Sequence, residues 1–187
     1  TEGQHIESDI LKPSNPYSAS KAAADMFILA WARTYGMKYI ILRPTNNYGI
    51  GQYPEKLIPL CVKQLMRGKK IRLHDEGEPV RNWLHSDDTA SAVIKIIESG
   101  VTNEVYNIAG GFEQKNIETT TQIIDNYFNR NVRDASKYLD LGFKRQGQDI
   151  RYALNDDKLR QLGWSPQKVF SEELPKIVKY YKNNFKW

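Results

Sequence analysis

The sequence predicts an α/β fold, and two neighbouring segments predict it. A helix is expected to begin at Asn15-Pro16, where the asparagine can cap the amino end and the proline suits the first turn, and to end at Gly36. An apolar, β-branched run follows at once at 38–43, and such runs are typical of strands buried in a parallel sheet. A helix that leads directly into such a strand is half of a β-α-β unit.

The rest of the chain alternates short apolar runs with segments of helical period, so its second half is expected to be mixed α/β. A polar loop is predicted at 45–51, and the charged, aperiodic stretch 129–149 is predicted to be a mobile loop. Helices are expected at about 55–67, from Ser86, from Asn116, at 155–162 and at 171–184, and short strands at 71–74, 105–108 and 151–154.

Composition disfavours several classes of function. The formal net charge is +5, but the basic residues are scattered, so a small phosphorylated ligand explains the charge at least as well as a nucleic acid does. The lone cysteine, Cys61, is expected to be a buried, inert thiol in a helix, and it favours a reducing, cytoplasmic compartment. The three histidines lack metal-ligand spacing, and no apolar run approaches the ~18 residues of a membrane span. Neither a metal site nor a membrane partner is predicted.

Tyr17 and Lys21 are candidate catalytic residues. Four positions apart, they lie on one face of the first predicted helix, where the ammonium would favour the ionised phenol and help it act as a general base. An exposed tyrosine ring packed on a lysine stem would show the same spacing. The small residues at 18–20 favour the catalytic interpretation, because they would allow a cofactor to approach closely.

Asn46 and Asn47 are candidate binding residues. They follow the carboxyl end of the predicted strand at 38–43, which is where ligands sit in doubly wound sheets. Their amides could bind a sugar hydroxyl and a nicotinamide edge. Turn formation is an equally good explanation of an asparagine pair taken alone.

These motifs and several others together resemble the dTDP-glucose 4,6-dehydratases, which belong to the extended short-chain dehydrogenases. Tyr-x-x-x-Lys marks only the superfamily, whereas Asn-Asn-Tyr-Gly followed by Pro-Glu-Lys-Leu is far more specific to nucleotide-sugar dehydratases. The resemblance covers the whole chain. The segments that carry it are 17–21, Thr-Asn-Asn-Tyr-Gly at 45–49, Pro-Glu-Lys-Leu-Ile-Pro at 54–59, Arg-Asn-Trp-Leu at 81–84 and Glu-Val-Tyr-Asn-Ile at 104–108.

The resemblance implies an architecture. It implies a partial Rossmann-like sheet that lacks its first strands, together with a smaller mixed α/β lobe for a sugar nucleotide. Residues 1–51 would form the carboxyl-terminal part of the NAD-binding domain. Residues 52–187 would form mainly the substrate lobe, re-entering the sheet near 80–108. The helix that carries the Tyr-x-x-x-Lys pair would also build a homodimer interface.

The resemblance further implies a reaction, the NAD-dependent conversion of an NDP-glucose, with dTDP-glucose preferred, to its 4-keto-6-deoxy product. Tyr17 would take the proton of the sugar 4-hydroxyl while hydride passes from C4 to NAD; water is then lost across C5 and C6, and the hydride returns to C6. Tyr17, Lys21 and Asn47 would contact NAD. Substrate contacts would come from Asn46, Lys56, Leu57, Arg81, Asn107, Arg145 and Tyr181.

Three of these contacts have structural alternatives. Lys56 could be a solvated helix lysine, Arg81 could be a surface cation–π partner of Trp83, and Tyr181 could be a core residue. Two segments also depart from the family pattern: Arg-Leu-His at 72–74 replaces Pro-hydrophobic-Tyr, and Arg-Gln-Gly-Gln-Asp at 145–149 replaces Arg-Pro-Gly-His-Asp. Both departures fall where base and diphosphate would be recognised, so UDP competes with dTDP.

The alternative functions are a UDP-sugar epimerase or decarboxylase of the same superfamily, and a non-catalytic sugar-nucleotide-binding module. The sequence contains no Gly-x-x-Gly-x-x-Gly turn for the NAD pyrophosphate, and it lacks the Asp-Glu pair that the family uses for elimination. Its start resembles a cut through a longer protein. The chain alone is therefore expected to be inactive.

Overall fold

The protein, described here from a computed structural model, has the predicted α/β class. The structure describes residues 3–144, 146–147 and 149–184. Its helices are α1 (Pro16–Tyr35), α2 (Leu57–Met66), α3 (Ser86–Glu98), α4 (Asn116–Phe128), α5 (Asp157–Arg160) and α6 (Phe170–Asn184). Its strands are β1 (Ile40–Pro44), β2 (Asn46–Tyr48), β3 (Ile71–His74), β4 (Val80–His85), β5 (Glu104–Ile108), β6 (Phe112–Lys115), β7 (Leu139–Phe143) and β8 (Arg151–Tyr152).

Helix α1 begins and ends as its sequence predicts. The Asn15 side chain accepts a hydrogen bond from the Ser18 N–H at 2.9 Å, and the Ser18 hydroxyl accepts one from the Asn15 N–H at 3.1 Å. Gly36 closes the helix in the left-handed conformation, with φ of 66°. None of the 20 residues of α1 is buried. Local capping therefore defines this helix, while the described residues provide no core around it.

The strands among the described residues form three small sheets. β1 pairs with β5 in parallel, β3 pairs with β7 in parallel, and β4 lies between β2 and β6, with β8 also pairing along it. Thr45 carries the chain from β1 to β2. Its N–H donates to the Ile108 carbonyl at 2.9 Å, and its hydroxyl donates to Asn82 Oδ1 at 3.0 Å. Asn46 and Asn47 are thereby placed directly beyond the carboxyl end of β1.

Two apolar cores hold the described part of the chain together. The larger one lies where α2, α4 and α6 pack on one another, and its fully buried residues include Ile58, Val62, Ile123, Ile124 and Leu174. The smaller one joins β4, β5 and α3 through Leu84, Ile96, Tyr106 and Ile108. Cys61 belongs to the larger core, where burial raises the pKa of its thiol to about 12. The predicted burial of this thiol is thus confirmed.

Two local predictions were wrong, and two strands were missed. Residues 46–48 of the predicted loop form β2, because Tyr48 is buried and pairs opposite His85 of β4. Part of the predicted mobile stretch 129–149 is ordered as a 3-10 turn at Ala135–Tyr138 and as β7, whose Leu139 is buried opposite Ile71. β4 and β6 were not predicted as strands. Four consecutive residues of β4 are buried, so the strand lacks the alternation that marks a half-exposed one.

Candidate active site

Tyr17 and Lys21 lie in the first turns of α1 with their side chains open to solvent. Tyr17 is 74% exposed, and Lys21 is also exposed. Between them, Ala19 and Ser20 are small and exposed, and the Ser20 hydroxyl donates back to the Tyr17 carbonyl at 2.7 Å. A phenol and an ammonium one turn apart, with little side-chain bulk between them, form a surface that a planar ligand could approach closely.

An ion pair fixes α1 against the carboxyl end of β1. Arg43 Nε contacts Asp25 Oδ2 at 2.9 Å with both side chains mostly buried, and Arg43 Nη1 donates to the Glu7 carbonyl at 3.1 Å. Tyr152 of β8 joins this group. Burial raises the pKa of Tyr152, the Arg43 charge lowers it, and the charges of Asp149, Asp25 and Tyr17 raise it. The Tyr17 helix is thus held beside β1 and close to β8.

Asn47 is oriented by hydrogen bonds on both sides of its amide. Its Oδ1 accepts from the Thr89 hydroxyl of α3, and its Nδ2 donates to the Thr45 carbonyl at 3.3 Å. Gln52 Nε2 donates to the Asn47 carbonyl at 2.7 Å and so holds the backbone as well. The Asn47 amide therefore has one defined orientation. Asn46, its neighbour on β2, is half-buried opposite Trp83 of β4.

A cavity of about 230 Å³ opens next to Asn47 and is lined by residues 47–52 and Ser86. Close packing shapes one wall, because a Cβ on Gly49 would lie 2.5 Å from Ser86 Oγ. Tyr181 of α6 supports the opposite side of the loop, since its hydroxyl donates to the Gln52 carbonyl at 3.0 Å. The cavity is therefore bordered by an oriented amide and by a loop that is fixed from within the core.

The remaining predicted substrate residues differ in exposure. Lys56 is exposed and pairs with Glu55 at 3.3 Å, and Leu57 is half-buried at the first turn of α2. Arg81 is half-buried on β4, where its Nη1 donates to the Val80 carbonyl at 2.8 Å and to the Asp149 carbonyl at 3.0 Å. Arg145 lies outside the described residues.

Asn107 and Tyr181 are both enclosed within the described residues and contact backbone carbonyls. Asn107 is 1% exposed, and its Nδ2 donates to the carbonyls of His5 and Asn155, both at 3.0 Å. Tyr181 is also 1% exposed and belongs to the larger core. Because both side chains are enclosed and their donors bind backbone carbonyls, we exclude them from the proposed substrate site.

Thr89 and Tyr152 are two site neighbours that sequence reasoning missed. Thr89 lies 42 positions from Asn47, and only the pairing of β2 with β4 brings α3 against it. Tyr152 lies opposite Arg81 in the β4–β8 pair, 135 positions after Tyr17. Within the described residues, no group of His, Cys, Asp and Glu could hold a metal ion, and no helix is long and apolar enough to cross a membrane.

Comparison with known proteins assigns this arrangement to a family. Residues 1–109 match the model of the NAD dependent epimerase/dehydratase family, which is more than half of the chain. The chain belongs to the NAD dependent epimerase/dehydratase family. The resemblance to dTDP-glucose 4,6-dehydratases is confirmed as well: the Escherichia coli enzyme of that name is 40% identical over 185 residues, 94% of this chain and 50% of that protein.

Solved structures of this epimerase/dehydratase family agree with the sequence comparison. A dTDP-glucose 4,6-dehydratase from Streptomyces venezuelae with NAD bound superposes with a TM-score of 0.90 at 39% identity, covering 98% of this chain and 56% of that one. A UDP-glucose 4-epimerase from Thermotoga maritima, with UDP-glucose, gives a TM-score of 0.82 at 26% identity, covering 97% and 58%. The chain spans about half the length of the curated relatives it matches.

Proposed function

We propose that the natural protein containing this chain is an NAD-dependent lyase that converts dTDP-glucose to its 4-keto-6-deoxy product. The observation that carries the proposal is the 40% identity to a dTDP-glucose 4,6-dehydratase across nearly the whole chain. Identity to the UDP-glucose 4-epimerase is lower, at 26%. The exposed Tyr17–Lys21 pair and the oriented Asn47 amide supply chemistry that such an enzyme needs.

The residues of this chain fit NAD. Exposed small side chains between Tyr17 and Lys21 leave room for a flat ring and its ribose, and Asn47 of β2 lines a cavity. When bound, NAD accepts hydride from C4 of the sugar and later returns it to C6. Lys21 would bind the ribose hydroxyls and keep positive charge beside the Tyr17 phenol. Asn47 would hold the cofactor through its amide.

Tyr17 carries the proton chemistry of the oxidation step in this proposal. Its phenolate removes the proton of the 4-hydroxyl as hydride leaves C4, so a C4 carbonyl forms and the phenol becomes neutral. Asn46 would bind the sugar nucleotide, and Lys56 and Leu57 would line its path. Arg81 would hold the diphosphate, for which a planar guanidinium on a half-buried strand is well suited. Arg145 would add a further diphosphate or nucleoside contact.

The chain is proposed to divide between two functional parts. Residues 1–51 would belong to the NAD-binding domain and 52–187 mainly to the sugar-nucleotide lobe. The parallel pairing of β5 with β1 supports a return to the first part near 80–108. We also propose a cytoplasmic homodimer that forms through α1, whose exposed face carries Met26, Phe27, Trp31 and Tyr35 at 51–68% exposure.

A UDP sugar is the second candidate substrate, because the residues at the expected base site are unusual. Arg72 and His74 are exposed on β3, and the Arg72 guanidinium lies 3.6 Å from the centre of the Phe143 ring of β7. A cation–π pair at this site would present a different surface from that of the family's tyrosine.

The decisive experiment is to incubate the intact natural protein with NAD and, in separate reactions, with dTDP-glucose, UDP-glucose or a UDP-uronic acid, and to identify the product. A 4-keto-6-deoxy product from dTDP-glucose supports the proposal. The same product from UDP-glucose alone would show that the nucleotide of the substrate is UDP and not dTDP. An inverted C4 hydroxyl identifies an epimerase, a pentose product identifies a decarboxylase acting on a UDP-uronic acid, and binding without turnover identifies a binding module. The isolated 187-residue chain is expected to show no turnover.

A further inference from the structure

We infer that Thr89 of α3 is a positioning residue that holds the Asn47 amide in the orientation from which it would bind the ligand. The inference rests on the proposed role of Asn47 in holding NAD. A free asparagine side chain can turn its carbonyl or its NH₂ group toward a ligand, and the two groups have opposite hydrogen-bonding character. Whatever fixes the amide therefore also selects the ligand atom that it can bind.

The contacts around Asn47 permit one orientation. The Thr89 hydroxyl donates to Oδ1, and the Thr45 carbonyl accepts one of the two Nδ2 hydrogens at 3.3 Å. If the amide were flipped, its oxygen would face the Thr45 carbonyl and two acceptors would meet, so this carbonyl selects the orientation and the Thr89 hydroxyl holds it by donating to Oδ1. The unflipped amide has one further Nδ2 hydrogen, for which the described residues show no partner, and Asn47 lines the cavity.

The surroundings make this orientation rigid. Gln52 Nε2 holds the Asn47 carbonyl at 2.7 Å, and Tyr181 in turn holds the Gln52 carbonyl at 3.0 Å. Thr89 is itself anchored in the second turn of α3, where its hydroxyl lies 3.4 Å from the His85 carbonyl. A donor that is fixed before the ligand arrives suits an oxygen acceptor, such as a carboxamide carbonyl or a hydroxyl.

Two substitutions of Thr89 that differ little in size are expected to have opposite effects on the Asn47 amide. Thr89→Val keeps the shape but removes the donor, so Asn47 Oδ1 loses its partner and the amide is no longer held in place. Thr89→Ser keeps the donor and removes only a methyl group. Thr121→Val is the matched control, because Thr121 is a half-buried helical threonine whose hydroxyl donates to the Ile117 carbonyl of its own helix at 2.9 Å.

The test measures NAD affinity by calorimetry in the intact natural protein. Thr89→Val is expected to weaken NAD binding by about tenfold, whereas Thr89→Ser and Thr121→Val stay within about twofold of wild type. Thr89→Ala is made in parallel and is expected to behave like Thr89→Val. Wild-type affinity in both Thr89→Val and Thr89→Ala would overturn the inference.

A second readout separates this inference from the proposed function. The side-chain amide signals of Asn47, assigned by their loss in Asn47→Asp, are followed by ¹⁵N NMR without ligand. They should shift in Thr89→Val and stay in place in Thr89→Ser and Thr121→Val. Unchanged signals in Thr89→Val contradict the positioning role whatever the protein binds. A wild-type protein that does not bind NAD contradicts the proposed function, while the NMR comparison still decides the role of Thr89.

Discussion

Helix α1 and the bundle of α2, α4 and α6 are built on opposite principles. α1 has 20 residues, of which none is buried, and it carries the candidate catalytic pair. The bundle contributes no candidate catalytic residue, yet its helices bury five, four and five residues respectively. The candidate catalytic pair therefore lies where the described residues provide the least packing, and the larger apolar core lies elsewhere.

This contrast predicts that activity and stability respond to different substitutions. Tyr17→Phe should lower turnover in the intact protein by about 10²–10⁴-fold, because the phenol is the proposed base. The melting temperature should not change, since Tyr17 is 74% exposed. Tyr35→Phe removes a second exposed hydroxyl from the same helix and serves as the control. Unchanged turnover in Tyr17→Phe would show that Tyr17 is not the catalytic base.

A substitution in the bundle of α2, α4 and α6 should lower stability. Ile124 is fully buried between the helices, so Ile124→Ala should lower the free energy of unfolding by about 2–5 kcal/mol. Met26→Ala on α1 should cost less than about 0.5 kcal/mol in dilute protein, as exposed positions generally do. Urea denaturation followed by circular dichroism compares the two. Equal losses would contradict the contrast between α1 and the bundle.

The exposed face of α1 gives a test of the proposed homodimer. Phe27 and Trp31 are 68% and 53% exposed, and a charge at either position could not be buried against a second copy without a large desolvation cost. The double substitution Phe27→Arg with Trp31→Arg should convert a dimer to a monomer, as measured by light scattering. Val169→Arg, at an exposed position outside α1, should leave the mass unchanged.

The smallest expected effect lies at the start of α6. A hydrogen bond from Lys176 Nζ at 2.9 Å, aided by the charges of Lys176 and Lys168, lowers the pKa of Glu173. Because its pKa is lowered in the folded state, the ionised Glu173 stabilises the fold at pH values above its unfolded pKa, near ~4.3. This stabilisation is lost as the pH falls through the folded pKa. Glu173→Gln should therefore cost about 0.2–1 kcal/mol at neutral pH and nothing once the pH is below the folded pKa of Glu173. A difference that persists in acid would contradict this ion pair as its source.

Local patterns explain why α1 was predictable and part of the site was not. The cap at Asn15, the Tyr17–Lys21 spacing and Gly36 all act within one or two helical turns, so a short window of sequence contains their full cause. Asn107 illustrates the opposite case. Its role depends on carbonyls of His5 and Asn155, 102 and 48 positions away, and no local pattern encodes those distances.

The sequence by itself determined the α/β class, the helix that holds Tyr17 and Lys21, and the motifs that mark the family. Only the tertiary structure decided that Asn46–Tyr48 form a strand, that Tyr181 supports a loop from within the core, and that Thr89 orients Asn47. The physical reason is the separation along the sequence of the residues that interact. Helix caps and helical periodicity arise between near neighbours, whereas strand register and side-chain burial depend on which distant segments pack together.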